Sequence, residues 1–467
     1  MKKKILVILS QEIFLRNYIT SNAFGELRRS FDLSFCIPSK LANNKLLDQK
    51  VDYLKFDYEE ERGTNLIHIL DVLMWKFRSK STTFKFRIQK KQGFNLKFRD
   101  NLNLLERAVR IPWRLARFCF LRIKNILLID SPLFTLYYYY LIKKLGSNKS
   151  LEATILSIDP AMVLFPSSAY DPVGIDVISI CKENNIISFF LIDNWDNLSS
   201  KSIFIEKPDY ISVWGQQSKE HAINIQEIQS EHIKFLGTPR FNKYFRDRNL
   251  DLESPYNFKY ILFVGTALEF DEITCIQHID KILDLNSSFS DIKLIYRPHP
   301  WRHGLSVFDD SKLKNTIIDY QLRDEYLNQN NSLEIQPDLD YYSALIKNSL
   351  FVIGGLTSML IESNIFYKPF VGLIHNDGKN RLTSMHNVYK KYMHFQGIKD
   401  LPLIKLCSKL EALEDLMHEC LILDIPDKEF IDQSRDYFYN NNGKDYSVNL
   451  VAKCNEVFRE YNKILEK

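Results

Sequence analysis

The chain has 467 residues, which is long for a single hydrophobic core and fits two α/β domains with extensions. Its composition, with 45% hydrophobic and 26% charged residues and only 15 glycines and 15 prolines, excludes extensive disorder. The formal net charge of +4 combines a basic segment with an acidic remainder. Seven scattered cysteines without a C-x-x-C pair argue for a reducing compartment and against a zinc site.

The N-terminal half predicts alternating strands and helices. A short apolar run at 4–9 predicts the first strand, and a helix with a weak middle follows at 11–29. Alternation resumes after a basic region, so we predict a parallel sheet in a Rossmann-like domain covering residues 1–245. The other strands of this half are predicted at 33–37, 51–56, 161–165, 186–192, 210–214 and 232–236, with helices near 174–184 and 217–227.

The stretch from Lys76 to Lys124 is strongly basic. It carries 15 lysines and arginines against Asp100 and Glu106, a local charge of +13 that leaves −9 for the rest of the chain. Aromatic residues are interleaved, and we predict a basic helical insertion at 73–145 that contacts an anionic membrane surface. A solvated helical face is the alternative. Nucleic acid is disfavoured as a partner because no RNA-binding signature accompanies the charge.

No apolar stretch of membrane-spanning length is visible in the sequence. The best candidate, Ile126–Ile142, is interrupted by Asp130, Ser131 and Pro132. We therefore expect a cytoplasmic protein that is either soluble or attached peripherally at the inner face of the membrane.

The C-terminal half repeats the strand–helix alternation after a polar linker at 246–257. Strands are predicted at 260–264, 292–296, 351–353 and 370–374, within a domain covering 258–430. A helical tail is predicted at 431–467. Two consecutive βαβ series predict an α/β protein with two doubly wound Rossmann-type domains facing a cleft.

Two strand ends in this half carry the most informative residues. The run Leu294–Pro300 ends in Arg297 and His299, and the later run at 350–353 ends in Gly354 and Gly355, which permit a tight turn. Thr357 and Ser358 then open a predicted helix, where free N–H groups bind phosphate. Each motif has a simpler interpretation, as a proline turn or a capped helix start. Together they favour a nucleotide phosphate site at the rim of an open sheet, joined by the small residues Gly265 and Thr266.

The string from Asp193 to Lys201 is the most unusual feature of the first half. It packs carboxylates, amides, an indole and an ammonium into nine residues directly after an apolar strand. A general base beside an acceptor hydroxyl needs a carboxylate fixed by such neighbours, and Asp196 is favoured over Asp193 for this role. An Asx-rich turn that satisfies its own backbone is the alternative.

These motifs resemble those of GT-B glycosyltransferases of bacterial surface-polysaccharide assembly. His299-Pro300 and Thr357-Ser358 are similar to the HP and Ser/Thr-Ser motifs of bacterial sialyltransferases, and CDP-glycerol polyol-phosphate transferases share a similar hydroxyl-rich turn. The Gly-Gly turn followed by Glu362 is similar to that of non-hydrolysing UDP-GlcNAc 2-epimerases. The resemblance implies that Glu362 binds the donor ribose. The acidic motif of the sialyltransferases and the N-terminal acid and histidine signatures of the epimerases are not recognisable.

The predicted function is transfer of a sugar from a nucleotide-activated donor to a surface-glycan acceptor on a lipid carrier. The alternatives are a CDP-glycerol-type transferase, a UDP-GlcNAc 2-epimerase-like enzyme, and a non-catalytic binder of membrane or nucleic acid. No metal or separate cofactor is expected, since no DxD dyad stands at a strand end. The predicted catalytic residues are Asp196, Asp193 and His299, and the predicted donor-binding residues are Gly265, Thr266, Arg297, His299, Gly354, Gly355, Thr357, Ser358 and Glu362.

Overall fold

The chain forms two compact units, each built on a parallel sheet. Unit 1 comprises Met1–Leu15, Ala23–Leu236 and Ser447–Lys467, and unit 2 comprises Arg16–Asn22 and Gly237–Tyr446. The predicted α/β class with two Rossmann-type sheets is confirmed. The computed structural model describes residues 2–92, 112, 113, 115, 116, 119, 120, 123, 131–268, 270–299, 310–327, 339–379, 384–441 and 443–465.

The sheet of unit 1 consists of β1 (Lys4–Ile8), β2 (Asp32–Pro38), β3 (Tyr53–Phe56), β4 (Met162–Ser167), β5 (Ile187–Ile192), β6 (Tyr210–Val213) and β7 (Ile233–Phe235). All the pairings between these strands are parallel, in the order β3-β2-β1-β4-β5-β6-β7. Every residue of β4 and β5 is buried. Their nearly continuous apolar runs, which predicted them, are what a parallel sheet covered on both faces requires.

Helices alternate with these strands, and local sequence determines where several of them begin. Asn148 and Asp171 each cap a helix by accepting a hydrogen bond from a backbone N–H of the first turn, and Pro172 opens the helix that Asp171 caps. The described helices up to 224 are α1 (Glu12–Phe14), α2 (Gly25–Ser30), α3 (Glu60–Lys76), α4 (Thr82–Gln92), α5 (Pro132–Leu145), α6 (Lys149–Ile158), α7 (Pro172–Glu183), α8 (Asn197–Ser200) and α9 (Gln216–Asn224).

The helix predicted at 11–29 is broken in its middle. A π-helical turn spans Leu15–Ile19, and Asn22 adopts a positive φ of 54° before α2 begins. Asparagine tolerates this left-handed conformation better than most residues, so Asn22 marks the break. The stretch Arg16–Asn22 is assigned to unit 2 rather than to unit 1.

The sheet of unit 2 consists of β8 (Lys259–Val264), β9 (Ile292–Arg297), β10 (Thr316–Ile318), β11 (Val352–Gly354), β12 (Phe370–Leu373) and β13 (Ile404–Cys407). Its order is β10-β9-β8-β11-β12-β13, and every pairing is parallel. The edge strands β10 and β13 were not predicted. The described helices here are α10 (Pro239–Asp247), α11 (Glu272–Leu285), α12 (Tyr320–Leu327), α13 (Leu339–Asn348), α14 (Met359–Ile365), α15 (Met385–Lys391), α16 (Leu413–Leu421) and α17 (Lys428–Arg435).

The units meet in the chain between Leu236 and Gly237, before the linker predicted at 246–257. Gly237 has a φ of 76°, and a Cβ atom there would lie 2.6 Å from the Tyr439 hydroxyl oxygen. Helix α10 then buries Phe241 and Tyr244 within unit 2. These contacts place 237–245 in unit 2, so the predicted end of the first domain at 245 comes later than the structural one.

The structure also divides the predicted tail at 431–467 between the two units. Helix α18 (Tyr446–Leu465) is assigned from Ser447 onward to unit 1. There the buried Lys234 of β7 donates from Nζ to Glu456 at 2.9 Å and to Glu460 at 2.7 Å. An ammonium this deeply buried needs such partners, so α18 is an integral part of unit 1.

Much of the insertion predicted at 73–145, including nearly all of 93–130, lies outside the described residues. Its described parts include α4 and α5. Over the part of the chain that the structure describes, no helix combines the length and the apolar character needed to cross a membrane.

Candidate functional site

The loops that follow β8 and β9 lie against each other in unit 2. The Gly265 N–H donates to the Arg297 carbonyl oxygen at 2.8 Å. A Cβ atom on Gly265 would lie 2.6 Å from the backbone nitrogen of His299, so a larger residue would force the loops apart. The structure therefore brings Gly265 and His299 together, as their positions at neighbouring strand ends predict. Pro300 lies outside the described residues.

The loop after β11 lies at the same carboxyl edge of the sheet, and we call this edge, with the loops after β8, β9 and β11, the rim. A Cβ atom on Gly354 would lie 2.4 Å from the Val264 carbonyl oxygen, and one on Gly355 would lie 3.0 Å from Thr266 Cγ2. Neither glycine has a positive φ, so the left-handed conformation is not what this position requires. Close approach of β8 and of the loop after it explains why this position holds two glycines.

Thr357 and Ser358 precede α14, but their hydroxyls already have partners. Thr357 Oγ1 accepts a hydrogen bond from the Met359 N–H at 3.2 Å, and Ser358 Oγ donates to Glu362 Oε1 at 2.9 Å. Thr357 and Ser358 are each partly exposed. A ligand can therefore reach this turn, and the Ser358 hydroxyl is oriented by Glu362.

Glu362 is 2% exposed and sits in a buried network. Arg240 Nη2 donates to its Oε1 at 3.3 Å and the Tyr244 hydroxyl donates to its Oε2 at 3.2 Å. Burial, reinforced by this carboxylate, raises the pKa of Tyr244 well above its ordinary value. In this structure Glu362 ties α14 to α10, and its ribose-binding role stays a prediction.

Arg297 is also buried, at 4% exposure, and its guanidinium faces away from solvent into a cluster of tyrosines. It pairs with the fully buried Asp319, donates to Gln321 Oε1 at 2.8 Å, and lies 4.5 Å from the centre of the Tyr342 ring. Asp319 additionally accepts a hydrogen bond from the Tyr256 hydroxyl at 3.1 Å. Because Asp319 neutralises its charge, Arg297 is placed to anchor the end of β9.

Two buried residues on this rim were missed by sequence reasoning. Glu272 is 1% exposed and accepts hydrogen bonds from the Thr266 N–H and the Tyr296 hydroxyl, both at 2.7 Å. His375 follows β12, with its Nε2 3.7 Å from Cys275 Sγ. Burial lowers the pKa of His375, which favours a neutral imidazole. The apolar run ending at Ile374 carried the same signal as the run before His299 and could have identified His375.

Asp193 and Asp196 lie in unit 1, at the carboxyl end of β5. The Asp193 N–H donates to the Ser167 carbonyl oxygen at 3.0 Å, and Asp196 Oδ2 accepts from Ser200 Oγ at 2.5 Å. Both side chains are half-buried, so each is partly accessible to solvent. The string forms a fixed turn into α8, which is compatible with both of the predicted interpretations.

Asp171, which the sequence analysis did not single out, lies at the same edge of the first sheet. It is 6% exposed and accepts hydrogen bonds from the Ser10 hydroxyl, from Gln11 Nε2 at 3.0 Å and from the Val173 N–H at 3.0 Å. Burial raises the pKa of this carboxyl. The hydrogen bonds connect the end of β1 to the start of α7.

Known structures share this two-sheet arrangement. A protein assigned as a UDP-N-acetylglucosamine 2-epimerase from Listeria monocytogenes superimposes with a TM-score of 0.51 at 11% identity, covering 98% of each chain. The glycotransferase of kitacinnamycin superimposes with a TM-score of 0.51 at 9% identity, covering 97% of this chain and 99% of its own. No family model and no curated protein sequence matches the chain. The fold is therefore of the GT-B type.

Proposed function

We propose that the chain is a nucleotide-sugar-dependent enzyme whose donor binds at the carboxyl edge of the second sheet. The observation that carries this proposal is the convergence of three loops, after β8, β9 and β11, around Gly265, His299 and Gly355. Open α/β sheets bind ligands at this edge, where polar side chains and free backbone groups meet. Two solved structures with this fold are named as a sugar-nucleotide epimerase and a glycotransferase.

In this proposal His299 and the hydroxyls of Thr357 and Ser358 contact the donor phosphates. Gly265, Thr266, Gly354 and Gly355 lie in the closely packed loops of this rim, and in this proposal their backbone groups contact the phosphates. Arg297 contributes as a positioning residue, because its ion pair with Asp319 holds the strand end that carries His299.

The reaction that we propose is glycosyl transfer to a surface-glycan acceptor on a lipid carrier. Asp196, oriented by Ser200, acts as general base for the acceptor hydroxyl, with Asp193 beside it. A lipid-linked acceptor would place the enzyme at the cytoplasmic face of a membrane. The nucleotide sugar is consumed as a substrate, and no metal or separate cofactor is invoked.

Epimerisation of a sugar nucleotide is the second candidate, favoured by the fold shared with the Listeria monocytogenes protein. The two reactions differ in what they consume. An epimerase converts its sugar nucleotide without an acceptor, whereas a transferase releases the nucleotide in proportion to the acceptor that is glycosylated.

A thermal-shift screen tests donor binding directly. CMP, CDP, UDP, GDP and their sugar conjugates are added to the full chain and to a His299→Ala variant. One nucleotide should raise the melting temperature of the wild type and leave the variant unshifted. His278→Ala is a matched control, since His278 is likewise half-buried but lies within α11. Absence of a shift with every nucleotide, or an equal shift in the His299 variant, would refute the proposed site.

A further inference from the structure

Helix α5 has two apolar faces, and its inner face belongs to the core of unit 1. Tyr138 and Ile142 pack against a buried cluster from α3 that includes Leu66 and Leu70. The Tyr139 hydroxyl donates to the Ile205 carbonyl oxygen at 3.1 Å, which fixes the helix further. The orientation of α5 is therefore set by packing, and so is the surface that its other face presents.

The outer face carries Leu133, Leu136, Tyr137 and Tyr140, which are 73%, 66%, 55% and 60% exposed. Their spacing of three, four and seven residues places them in one stripe along the helix. A helix that is apolar on both faces is normally buried on both. Here four large side chains form a continuous apolar stripe at the surface of unit 1.

Positive charge flanks this stripe. Lys143 and Lys144 lie in the last turn of α5, and both are exposed. Between 76 and 145 the sequence carries 17 lysines and arginines against three acidic residues. Trp113 and Phe120, in described helical positions of the same segment, are 62% and 66% exposed. Apolar and aromatic side chains bordered by cations are what an anionic lipid surface attracts.

We propose that α5 docks unit 1 onto an anionic bilayer, with its outer face at the boundary between headgroups and acyl chains. Lys143 and Lys144 would then lie at the level of the lipid phosphates, and the tyrosine hydroxyls would stay hydrated. A second copy of the chain fits this face poorly, because the exposed Lys143 and Lys144 of both copies would meet at one interface. This inference rests on the proposed function, because docking would give the enzyme access to a lipid-linked acceptor. The docking itself requires no nucleotide.

The test is sedimentation of the full chain with vesicles of equimolar phosphatidylglycerol and phosphatidylcholine, compared with phosphatidylcholine alone. A triple variant, Leu133→Ser, Leu136→Ser and Tyr140→Ser, should lower the partition coefficient by more than about tenfold through lost apolar burial. A control triple in unit 2, Leu285→Ser, Ile422→Ser and Phe430→Ser, should bind as the wild type does, although these residues are 71%, 79% and 55% exposed.

Lysine variants test the electrostatic part of the docking. Lys143→Gln and Lys144→Gln should each weaken binding to the anionic vesicles roughly fivefold. Their binding to neutral vesicles should not change, and added salt should reduce the difference. Equal effects on both kinds of vesicle would contradict the proposed role of the two cations.

Three results would overturn the proposal: no sedimentation of the wild type with anionic vesicles, unchanged binding of a folded α5 triple variant, or a solution dimer that this variant dissociates. The last result would assign the face to a second copy. The nucleotide thermal shift, measured on the same proteins, separates this inference from the proposed function. Vesicle binding without any nucleotide shift refutes the function alone, and a shift without vesicle binding refutes the docking alone.

Discussion

The carboxylate of Glu272 accepts a hydrogen bond from the backbone N–H of Thr266 at 2.7 Å. Its other oxygen accepts from the Tyr296 hydroxyl at the same distance. One buried side chain on α11 thus fixes the loop after β8 and braces β9 beside it. The rim on which the donor is proposed to bind depends on this contact for its shape.

Replacing Glu272 by alanine should therefore destabilise unit 2. The change removes the acceptor of two buried hydrogen bonds, which costs about 2–4 kcal/mol in free energy of unfolding. Glu272→Gln retains an acceptor and should cost about 1 kcal/mol. Urea denaturation of the wild type and both variants measures these losses. An alanine variant as stable as the wild type would show that the carboxylate does not hold the loop.

Removing the guanidinium of Arg297 should be costly for the same unit. Arg297→Met leaves Asp319 buried without its counterion, at a cost of about 3–5 kcal/mol. Arg248→Met is the control, since it breaks a more exposed pair with Asp432 and should cost about 1 kcal/mol. A stable Arg297→Met protein that no longer responds to nucleotide would make Arg297 a phosphate ligand and not an anchor.

His299→Ala should abolish the nucleotide-induced thermal shift while lowering stability by no more than about 1 kcal/mol. The reason is that the half-buried imidazole lies at the rim, where it would contact ligand more than core. Chemical denaturation without nucleotide supplies the stability, and calorimetric titration supplies the affinity. A large stability loss would assign His299 a structural role instead.

Asp196→Asn should lower kcat by about 100-fold or more and leave the KM for the donor nearly unchanged. A general base acts in the transition state, and asparagine can still accept the hydrogen bond that Ser200 donates. Asp193→Asn serves as the comparison and should have a smaller effect. Steady-state kinetics with the identified donor decides the assignment: a raised KM with kcat preserved would make Asp196 a binding residue.

His375 should make unit 2 sensitive to mild acid. Burial lowers the pKa of its imidazole in the folded protein below the unfolded value of about 6.5. The unfolded chain therefore binds the proton more readily, so stability rises with pH through the range just below 6.5 and is lost as the pH falls toward the folded pKa. His375→Gln should flatten this part of a melting-temperature profile. A wild-type profile that is level across this range would contradict the prediction.

The apolar runs were sufficient to predict the central strands of both sheets. Every residue of β4 is buried, for example, and its hydrophobic run stands out from its polar surroundings. The edge strand β10 offers only two consecutive apolar residues, Ile317 and Ile318, with polar residues on both sides, which is too short a run to predict a strand. Its absence from the prediction concealed Asp319, which directly follows it.

For the site, the rim positions of Gly265 and His299 were predictable from where strands end, but the partners of the side chains were not. Arg297 looked like a phosphate ligand because its counterion comes from 22 residues further along the chain, after the missed strand. Glu362 is paired with Arg240 of α10, a residue that the predicted boundary at 245 had placed in the first domain. Burial of charge depends on such distant contacts, which local patterns do not record.

The course of the backbone through unit 1 has a consequence for how the protein folds. Lys234 of β7 pairs with Glu456, which lies 222 residues later in the chain, and residues 237–446 of unit 2 are synthesised between them. Contacts so far apart in sequence are slow to form, whereas the part of unit 2 at 237–446 is one continuous stretch of chain. We therefore expect the second unit to mature first on the ribosome, with the first sheet completed only when the last helix has emerged.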